Sequence, residues 1–499
     1  MKILALYLPQ FHRVPENDEW WGEGFTEWTT VRNALPLFPE HEQPHIPKDN
    51  YYYDLLDKST FQKQAEQIKN SGMDGICIYH YWFKNGRQIL EKPAEKLLQW
   101  KDIQLPYCFS WAHEPWARTW GNFGDQNKWT SIYDKGKNSD RELLLEQKYG
   151  NAVDWKRHFE YLLPFFSDNR YIKIDGKPVF EFHRAREIPC LENMIWYWKE
   201  LAKDYGLKGL YFIGNEVKKS QESLFDEVMI HEPQDAMLVS KTSFKDVIRC
   251  FDYDEVWRNI LKRGKDKNIS LTGYAGYDDT PRHGTQGTAI TNGSPEKFEK
   301  YMTKLIQINK QNHCRVMFVN AWNEWGEGMY LEPDEKYGDS YLCAMKRAVD
   351  QSDANLQNED LFHKMDSAVP FDCYDAMQFR YDRERHIGRV LDKWLSINEN
   401  KKNWTIAFKN KKLAIYGYGL LGKHLITELE QNNMIPEFII DRNQDIKSQY
   451  PIYGVDDNWP DVQTIIVSAI YDYGNVFHLI KEKQPDVEVV SLEHIIMEM

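Results

Sequence analysis

The stretch Val316-Met-Phe-Val-Asn-Ala-Trp-Asn-Glu-Trp-Gly-Glu-Gly-Met-Tyr330 decides how the chain is read. Four apolar, strand-forming residues, Val316 to Val319, run straight into a polar and aromatic cluster that carries Glu324 and Glu327. An unbroken apolar run of this kind suits a strand buried on both faces, as in a parallel sheet. In α/β proteins chemistry gathers at the C-terminal ends of such strands. Two carboxylates three residues apart there can serve as acid and base. Breaking or transferring a glycosidic bond needs that pair, because the leaving oxygen takes a proton while a hydroxyl gives one up. The plain alternative is a loop whose glutamates only face water. Trp322 and Trp325 beside them favour a sugar site, since indole faces stack on sugar rings.

Outward from this stretch, seven further segments read as buried strands, most followed by a helical pattern. They are Ile3 to Leu8, Gly75 to Tyr79, Tyr107 to Ser110, Val179 to Phe182, Leu210 to Ile213, Glu227 to Ile230 and Ser270 to Gly273, before the eighth at Arg315 to Val319. Helices are predicted near Thr60 to Asn70, Glu91 to Trp100, Asp154 to Phe166, Leu191 to Tyr205, Asp254 to Arg263 and Pro295 to Gln311. The first strand is followed by what reads as a long loop with Trp20, Trp21, Gly24, Phe25, Glu27 and Trp28. Eight strand–helix units with polar and aromatic strand ends predict an α/β fold, a (β/α)8 TIM-like barrel over residues 1–352. An open doubly wound sheet is the alternative; the count of eight and the lack of a Gly-rich phosphate loop after any of these strands favour the barrel.

Residues 353–410 turn charged and Asn-rich and read as a packed connector with one helix around Tyr374 to Leu395. Residues 411–499 then read as a small Rossmann-like parallel α/β domain. A strand opens a helix through Gly417-x-Gly419-x-x-Gly422, and Phe438-Ile-Ile-Asp441 forms the next strand with an acid at its end. That order is the dinucleotide-binding context, in which glycines let a pyrophosphate approach the helix N-terminus. A nucleotide or nucleotide-sugar on Gly417, Gly419, Gly422 and Asp441 is one reading. A structural module with an empty crevice is the other, favoured by the short length.

With 499 residues the chain exceeds one ordinary domain. No apolar run approaches the roughly 18 residues of a membrane span, and the N-terminus reads as a first buried strand rather than a secretion signal. Seven scattered cysteines without a CxxC pair fit a reducing cytoplasm and speak against a disulfide framework or a structural zinc. The formal net charge of −13 argues against nucleic acid as partner. The 18 Trp and 29 Tyr, many in polar strand-terminal sequence, suggest an aromatic-lined cleft for an uncharged, hydroxyl-rich ligand.

Five motifs in order carry a resemblance: Tyr7-Leu-Pro-Gln-Phe-His12, Glu16-Asn-Asp-Glu-Trp-Trp-Gly22, Gly24-Phe-Thr-Glu-Trp28, Trp111-Ala-His-Glu-Pro-Trp116 and Asn320-Ala-Trp-Asn-Glu-Trp-Gly-Glu-Gly328. Together they resemble the WbsX-like glycosyltransferases of bacterial surface-polysaccharide clusters. These in turn are similar in fold to the endo-α-mannosidases of glycoside hydrolase family ninety-nine. The resemblance covers roughly residues 1–350 and leaves out the C-terminal domain, which is similar only to the general Rossmann-like class. It implies a barrel enzyme of O-antigen or capsule synthesis whose chemistry needs no cofactor. It also implies roles: Glu324 as base on the sugar's own 2-hydroxyl, passing through a 1,2-anhydro sugar, and Glu327 as acid on the departing oxygen. A retaining endo-glycosidase using the same pair is the first alternative, and a non-catalytic carbohydrate-binding or assembly scaffold the second. Lack of an export signal favours cytoplasmic assembly, beside other polysaccharide-assembly enzymes, over hydrolysis.

The remaining candidates lie at strand ends. His113 and Glu114 read as sugar-hydroxyl ligands or as loop caps beside Pro115. His12 and Gln10 line a cleft floor unless His12 is a core histidine. Glu27 reaches sugar or pairs with Arg32. Arg282, with His283, supplies a phosphate or acidic-sugar contact or sits in a surface turn. Trp20, Trp21 and Trp28 are stacking candidates with a loop core as the alternative, and Trp111, Trp116, Asn323 and Trp325 are candidate substrate contacts. No His/Cys/Asp cluster has metal-ligand spacing, and Asp252-Tyr-Asp254, which imitates a metal-binding DxD, precedes a helix and is better explained as its N-cap.

Overall fold

The computed structural model describes residues 1–117, 143–246, 248–265, 269–354, 387–388, 390–400, 403–443, 448–470 and 473–499. The chain divides into two compact units, Met1–Pro370 and Phe371–Met499. Most of the predicted connector helix, from Tyr374 to 386, lies outside the described residues.

The first unit is a (β/α)8 barrel. Its staves are β1 (Lys2–Tyr7), β2 (Gly75–Trp82), β3 (Tyr107–Trp111), β4 (Lys177–Phe182), β5 (Tyr211–Asn215), β6 (Glu227–Ile230), β7 (Ile269–Leu271 and Gly273–Tyr274) and β8 (Val316–Asn320). Each pairs in parallel with its sequence neighbours. The ring closes where β1 meets β8, with Leu4 opposite Phe318. Among the described residues it is broken at Thr272, where β7 changes partners: Ile269–Leu271 pairs with β6 and Gly273–Tyr274 with β8. The Thr272 hydroxyl bridges that break, donating to the Ile230 carbonyl and accepting from the Glu232 N–H.

Alternation along the staves sets what faces the helices and what faces the lumen. On β4, Phe180 and Phe182 pack against Trp198 of the helix Leu191–Asp204, so Glu181 between them points inward. On β3, Phe109 and Trp111 pack against Phe165 and His158 of the helix Ala152–Phe166, so Ser110 points inward.

Two departures from the sequence reading bear on the site. The segment after β1 is not an irregular loop: it folds into short helices Pro15–Trp21 and Glu27–Asn33, with Trp20 and Trp21 in a local core and Trp28 packed against Phe11 and Tyr53. A small three-stranded sheet, Ser243–Lys245, Ile248–Asp252 and Thr288–Thr291, flanks β7, and its short strands were not anticipated. Asp252 does cap a helix, its carboxylate accepting the Glu255 N–H.

The second unit is a five-stranded parallel sheet: β9 (Leu413–Tyr416), β10 (Phe438–Ile440), β11 (Ile452–Tyr453), β12 (Thr464–Val467) and β13 (Glu488–Ser491), in the order β11-β10-β9-β12-β13. That is a Rossmann-like order. Gly422 is required here: a Cβ on it would lie 2.1 Å from the Gly417 carbonyl oxygen, so any side chain would push the helix Leu420–Gln431 off the loop. No helix among the described residues is long and apolar enough to cross a membrane.

Candidate active site

Glu324 and Glu327 stand just past β8, where Asn323-Glu324 pairs with Met329-Tyr330 and Trp325–Glu327 makes a single 3-10 turn. Gly328 closes the turn in the left-handed region (φ 60°), and the Glu327 carbonyl accepts the Asp278 N–H. That bond ties the turn to the loop after β7, which carries Arg282. Asp278 holds this loop in turn, accepting from Gln43 and from the Thr280 N–H and hydroxyl, and pairing with His41.

Arg282 is the centre of the site. Its Nε donates to Glu27 Oε1 at 2.7 Å, Nη2 to Glu324 Oε2 at 2.9 Å, and Nη1 to Glu327 Oε1. Three carboxyl groups from two segments, the start of the helix Glu27–Asn33 and the turn after β8, thus converge on one guanidinium. The close approach depends on Gly326, where a Cβ would sit 1.9 Å from Glu27 Oε1. Burial raises the Glu324 carboxyl to about 8, with Arg282 pulling it down and Glu327 and Glu27 pushing it up. Burial also raises Glu327, against the same pull from Arg282. At neutral pH the pair therefore holds a proton, the condition for one acid and one base.

Beneath the turn lies a residue that the sequence reading missed. Glu332 is buried and accepts four hydrogen bonds: from Tyr53 (2.7 Å), Gln64 (2.7 Å), Trp322 Nε1 (2.9 Å) and Trp325 Nε1 (2.7 Å). The two indoles beside the glutamate pair are anchors, not platforms. Trp325 is 1 % exposed and stacks on Tyr330 with centroids 3.8 Å apart. Sugar stacking on Trp325 or Trp322 is thus corrected: a buried indole N–H needs an acceptor, and Glu332 supplies it.

Other sequence candidates are corrected for the same reason. Asn323 is fully buried; its amide accepts the Leu8 N–H and donates to the Leu8 carbonyl, clipping the ends of β1 and β8 together. Trp28 is buried between Phe11, Tyr53 and Trp325 and donates to the Tyr53 carbonyl. Trp111 is buried on the helix side of β3 and donates to the Trp82 carbonyl. Trp116 is buried against Trp20 and Tyr81. His113 is 0 % exposed, with Nδ1 facing the Tyr149 hydroxyl and Nε2 the Arg184 carbonyl; burial lowers it to about 4. His12 differs: it is buried and burial lowers its pKa, but both ring nitrogens lack a side-chain hydrogen-bond partner, so nothing in the structure corrects this candidate. Arg282, read as a phosphate or acidic-sugar contact, gives three of its five N–H donors to carboxylates. Glu27 pairs with Arg282, not Arg32, whose guanidinium lies over the Tyr52 ring.

The mouth thus gathers Glu324, Glu327, Glu27 and Arg282. Glu114 stands near enough to feel the Glu327 charge; burial raises it to about 7 while Arg184, 2.8 Å away, pulls it down.

A sequence model described as Glycosyltransferase WbsX matches residues 3–345. The chain belongs to that family. It is 30% identical over 360 residues to an uncharacterized protein, WxcX, from Xanthomonas campestris pv. campestris, in strain B100 and again in strain ATCC 33913. The match covers 70% of this chain and 49% of the relative, so the chain spans about half the length of the curated relatives it matches. Among solved structures it is similar to the GH99 endo-alpha-mannosidase from Bacteroides thetaiotaomicron, with 15% identity, 70% of this chain and 97% of that chain covered, and a TM-score of 0.41. It is also similar to a glycoside hydrolase-like protein, with 13% identity, 70% and 93% coverage, and a TM-score of 0.44.

In the second unit the predicted Gly-rich loop is formed, but Asp441 is engaged within it. Its carboxylate accepts the Tyr418 N–H at 2.7 Å and the Asn443 N–H at 2.8 Å, which fixes the loop rather than leaving an acid open for a ribose. Gly419 starts the helix with nothing within 4 Å of its Cβ position. Among the described residues no group of three His, Cys, Asp or Glu has the arrangement to hold a metal ion.

Proposed function

We propose that this chain is a carbohydrate-active enzyme that transfers a glycosyl group in the assembly of a bacterial surface polysaccharide, with Glu324 and Glu327 as its acid–base pair. The observation that carries the reading is the convergence of both carboxyl groups on Arg282 at the C-terminal end of β8. In a (β/α)8 barrel this is where reacting groups are presented. Family membership supports transfer.

The resemblance assigns Glu324 as base and Glu327 as acid. Burial raises both carboxyls, so that Glu324 holds its proton to about 8 and Glu327 is also raised. Acting as base therefore requires Glu324 to lose that proton first. Arg282, which touches both carboxylates, favours the ionised form of each.

The test is turnover. The intact protein is incubated with a panel of nucleotide sugars and glycan acceptors and with α-mannosides, and released nucleotide and new reducing ends are measured. Glu324→Gln and Glu327→Gln should each lower the rate by about 10²- to 10⁴-fold. A leaving group that needs no proton should restore the variant lacking the acid and not the one lacking the base. Reducing ends without transfer product would make the chain a hydrolase using the same pair. Full turnover in both variants would remove the assignment.

A further inference from the structure

Below the glutamate pair the lumen holds a second group of polar side chains that no step of the acid–base chemistry uses. Ser110 on β3 and Glu181 on β4 occupy paired positions and both point inward. Asn215 ends β5 and Asn320 ends β8. His183 follows β4 and His231 follows β6, with their rings 5.3 Å apart. The Asn215 amide nitrogen meets His183 Nδ1 at 3.1 Å, and that of Asn320 meets His231 Nε2 at 2.8 Å.

These contacts leave a one-sided arrangement. Asn215 Oδ1 and Asn320 Oδ1 are buried and have no hydrogen-bond partner, and Ser110 Oγ and the two carboxyl oxygens of Glu181 have none but each other. Glu181 is only 1 % exposed. A buried oxygen left unpaired is costly, and a protein rarely keeps several together unless something else satisfies them. Four of these five atoms are amide or carboxyl oxygens, so the missing partners are chiefly O–H or N–H donors. Tyr79 on β2 links this chamber to the pair above: its ring is 6.1 Å from His183, and its hydroxyl feels the charges of Glu324, Glu327 and Glu181.

We propose that Ser110, Glu181, His183, Asn215, His231 and Asn320 form the floor of a sugar subsite that takes the hydroxyl groups of one neutral pyranose ring. The inference rests on the proposed function for the chemistry above it, and it adds the class of sugar. No cation faces the chamber from these residues. Burial keeps Glu181 protonated up to about 8 and His231 neutral down to about 4, and it lowers His183 as well. A protonated carboxyl both donates and accepts, as does a hydroxyl, and two neutral imidazoles add the same versatility. The cation Arg184, whose charge lowers both histidines, is already paired with Glu114 and Glu216, so the carboxylate of a uronic or other acidic sugar would meet acceptor oxygens and no unpaired cation among these residues. The ring is therefore gripped through its hydroxyls and not through stacked indoles.

Saturation-transfer NMR on the intact protein tests this with methyl α-D-mannopyranoside, methyl α-D-glucopyranoside, methyl α-D-galactopyranoside and a methyl glucuronoside. At least one neutral glycoside should bind, and the glucuronoside more weakly. Glu181→Met should weaken the neutral ligand at least tenfold, while Glu181→Gln, which keeps a donor and an acceptor, stays within about threefold. The melting temperature of unliganded Glu181→Met should equal or exceed that of the wild type, because a buried carboxyl with no partner but Ser110 has been replaced by an apolar chain of similar length. A large fall in melting temperature would make Glu181 a structural residue and overturn the inference. So would tighter binding of the glucuronoside, equal binding by Glu181→Met, or no binding of any glycoside. Unchanged binding in Glu181→Met with turnover lost in Glu324→Gln removes the subsite and leaves the proposed function. Lost binding in Glu181→Met with full turnover in Glu324→Gln does the reverse.

Discussion

Replacing Arg282 with Met tests the electrostatic account of the site without any substrate. In the wild type one guanidinium serves Glu27, Glu324 and Glu327, all largely enclosed. Removing one partner of a buried ion pair costs about 3–5 kcal/mol, because the remaining charge is left uncompensated. The cost must depend on pH, and its sign follows from the carboxyls. Glu324 and Glu327 have folded values raised above their ordinary one, so the stability they contribute is present at low pH and lost as pH rises towards 8. Arg282 is what pulls both down, so without it they rise further and the loss steepens. Each additional proton held by the folded state adds about 1.4 kcal/mol per pH unit.

At pH 8 the variant should therefore be about 3–5 kcal/mol less stable, and near pH 5, where protons replace the missing cation, nearly equal to wild type. With an unfolding entropy of about 2.1 cal/mol/K per residue, the unit Met1–Pro370 loses about 1.3 °C per kcal/mol. The deficit is then about 4–6 °C at pH 8 and vanishes towards pH 5. Melting curves of both proteins across pH 5 to 8 read it directly. An equal deficit at every pH, or none at pH 8, would refute the claim that Arg282 acts by neutralising the three carboxyls.

Other substitutions separate the parts of the site. Glu332→Gln turns one acceptor into a donor facing Tyr53, Gln64, Trp322 and Trp325. About 2–4 kcal/mol should be lost, with a red shift of tryptophan emission as the indoles lose their acceptor. Gly326→Ala places a methyl 1.9 Å from Glu27 Oε1. It should cut turnover as far as Glu27→Gln does, with circular dichroism unchanged; full activity would show that Glu27 need not approach the turn. Gly422→Ala should loosen the second unit, whose loop a Cβ would strike at 2.1 Å, lowering its own unfolding transition while the barrel's stays in place.

The staves were legible because burial on both faces writes a continuous apolar run, and the observed strands fall within a few residues of the predicted ones. The aromatic reading failed for a physical reason. A tryptophan in polar sequence marks an indole N–H that needs an acceptor, not the side from which the ring is reached. Trp325 found its acceptor in Glu332, and Trp111 in the carbonyl of Trp82. Glu27 and Arg282 lie 255 positions apart, and no local pattern can pair them. Glu181 did leave a signal: in Val179-Phe-Glu-Phe182 a lone acid alternates with aromatics in a buried strand, which places it in the lumen.

The charge around the mouth constrains the reaction further. Glu27, Glu324 and Glu327 share one arginine, and Glu114 and Glu216 meet Arg184. Around Arg282 three carboxyl groups meet one cation, and with a single proton on the Glu324–Glu327 pair a negative balance remains there, whereas Glu114 and Glu216 are matched by Arg184 and Arg186. Glycosyl transfer builds positive charge at the anomeric carbon, so such a surplus stabilises the transition state more than the ground state. The same surplus repels a pyrophosphate leaving group. If the donor is a nucleotide sugar, its turnover should therefore rise steeply with added Mg²⁺, which the pyrophosphate itself would carry into the mouth, whereas a neutral glycoside donor should be indifferent to the ion. A nucleotide sugar used equally well with and without the cation would show that this acidic balance does not govern the choice of donor.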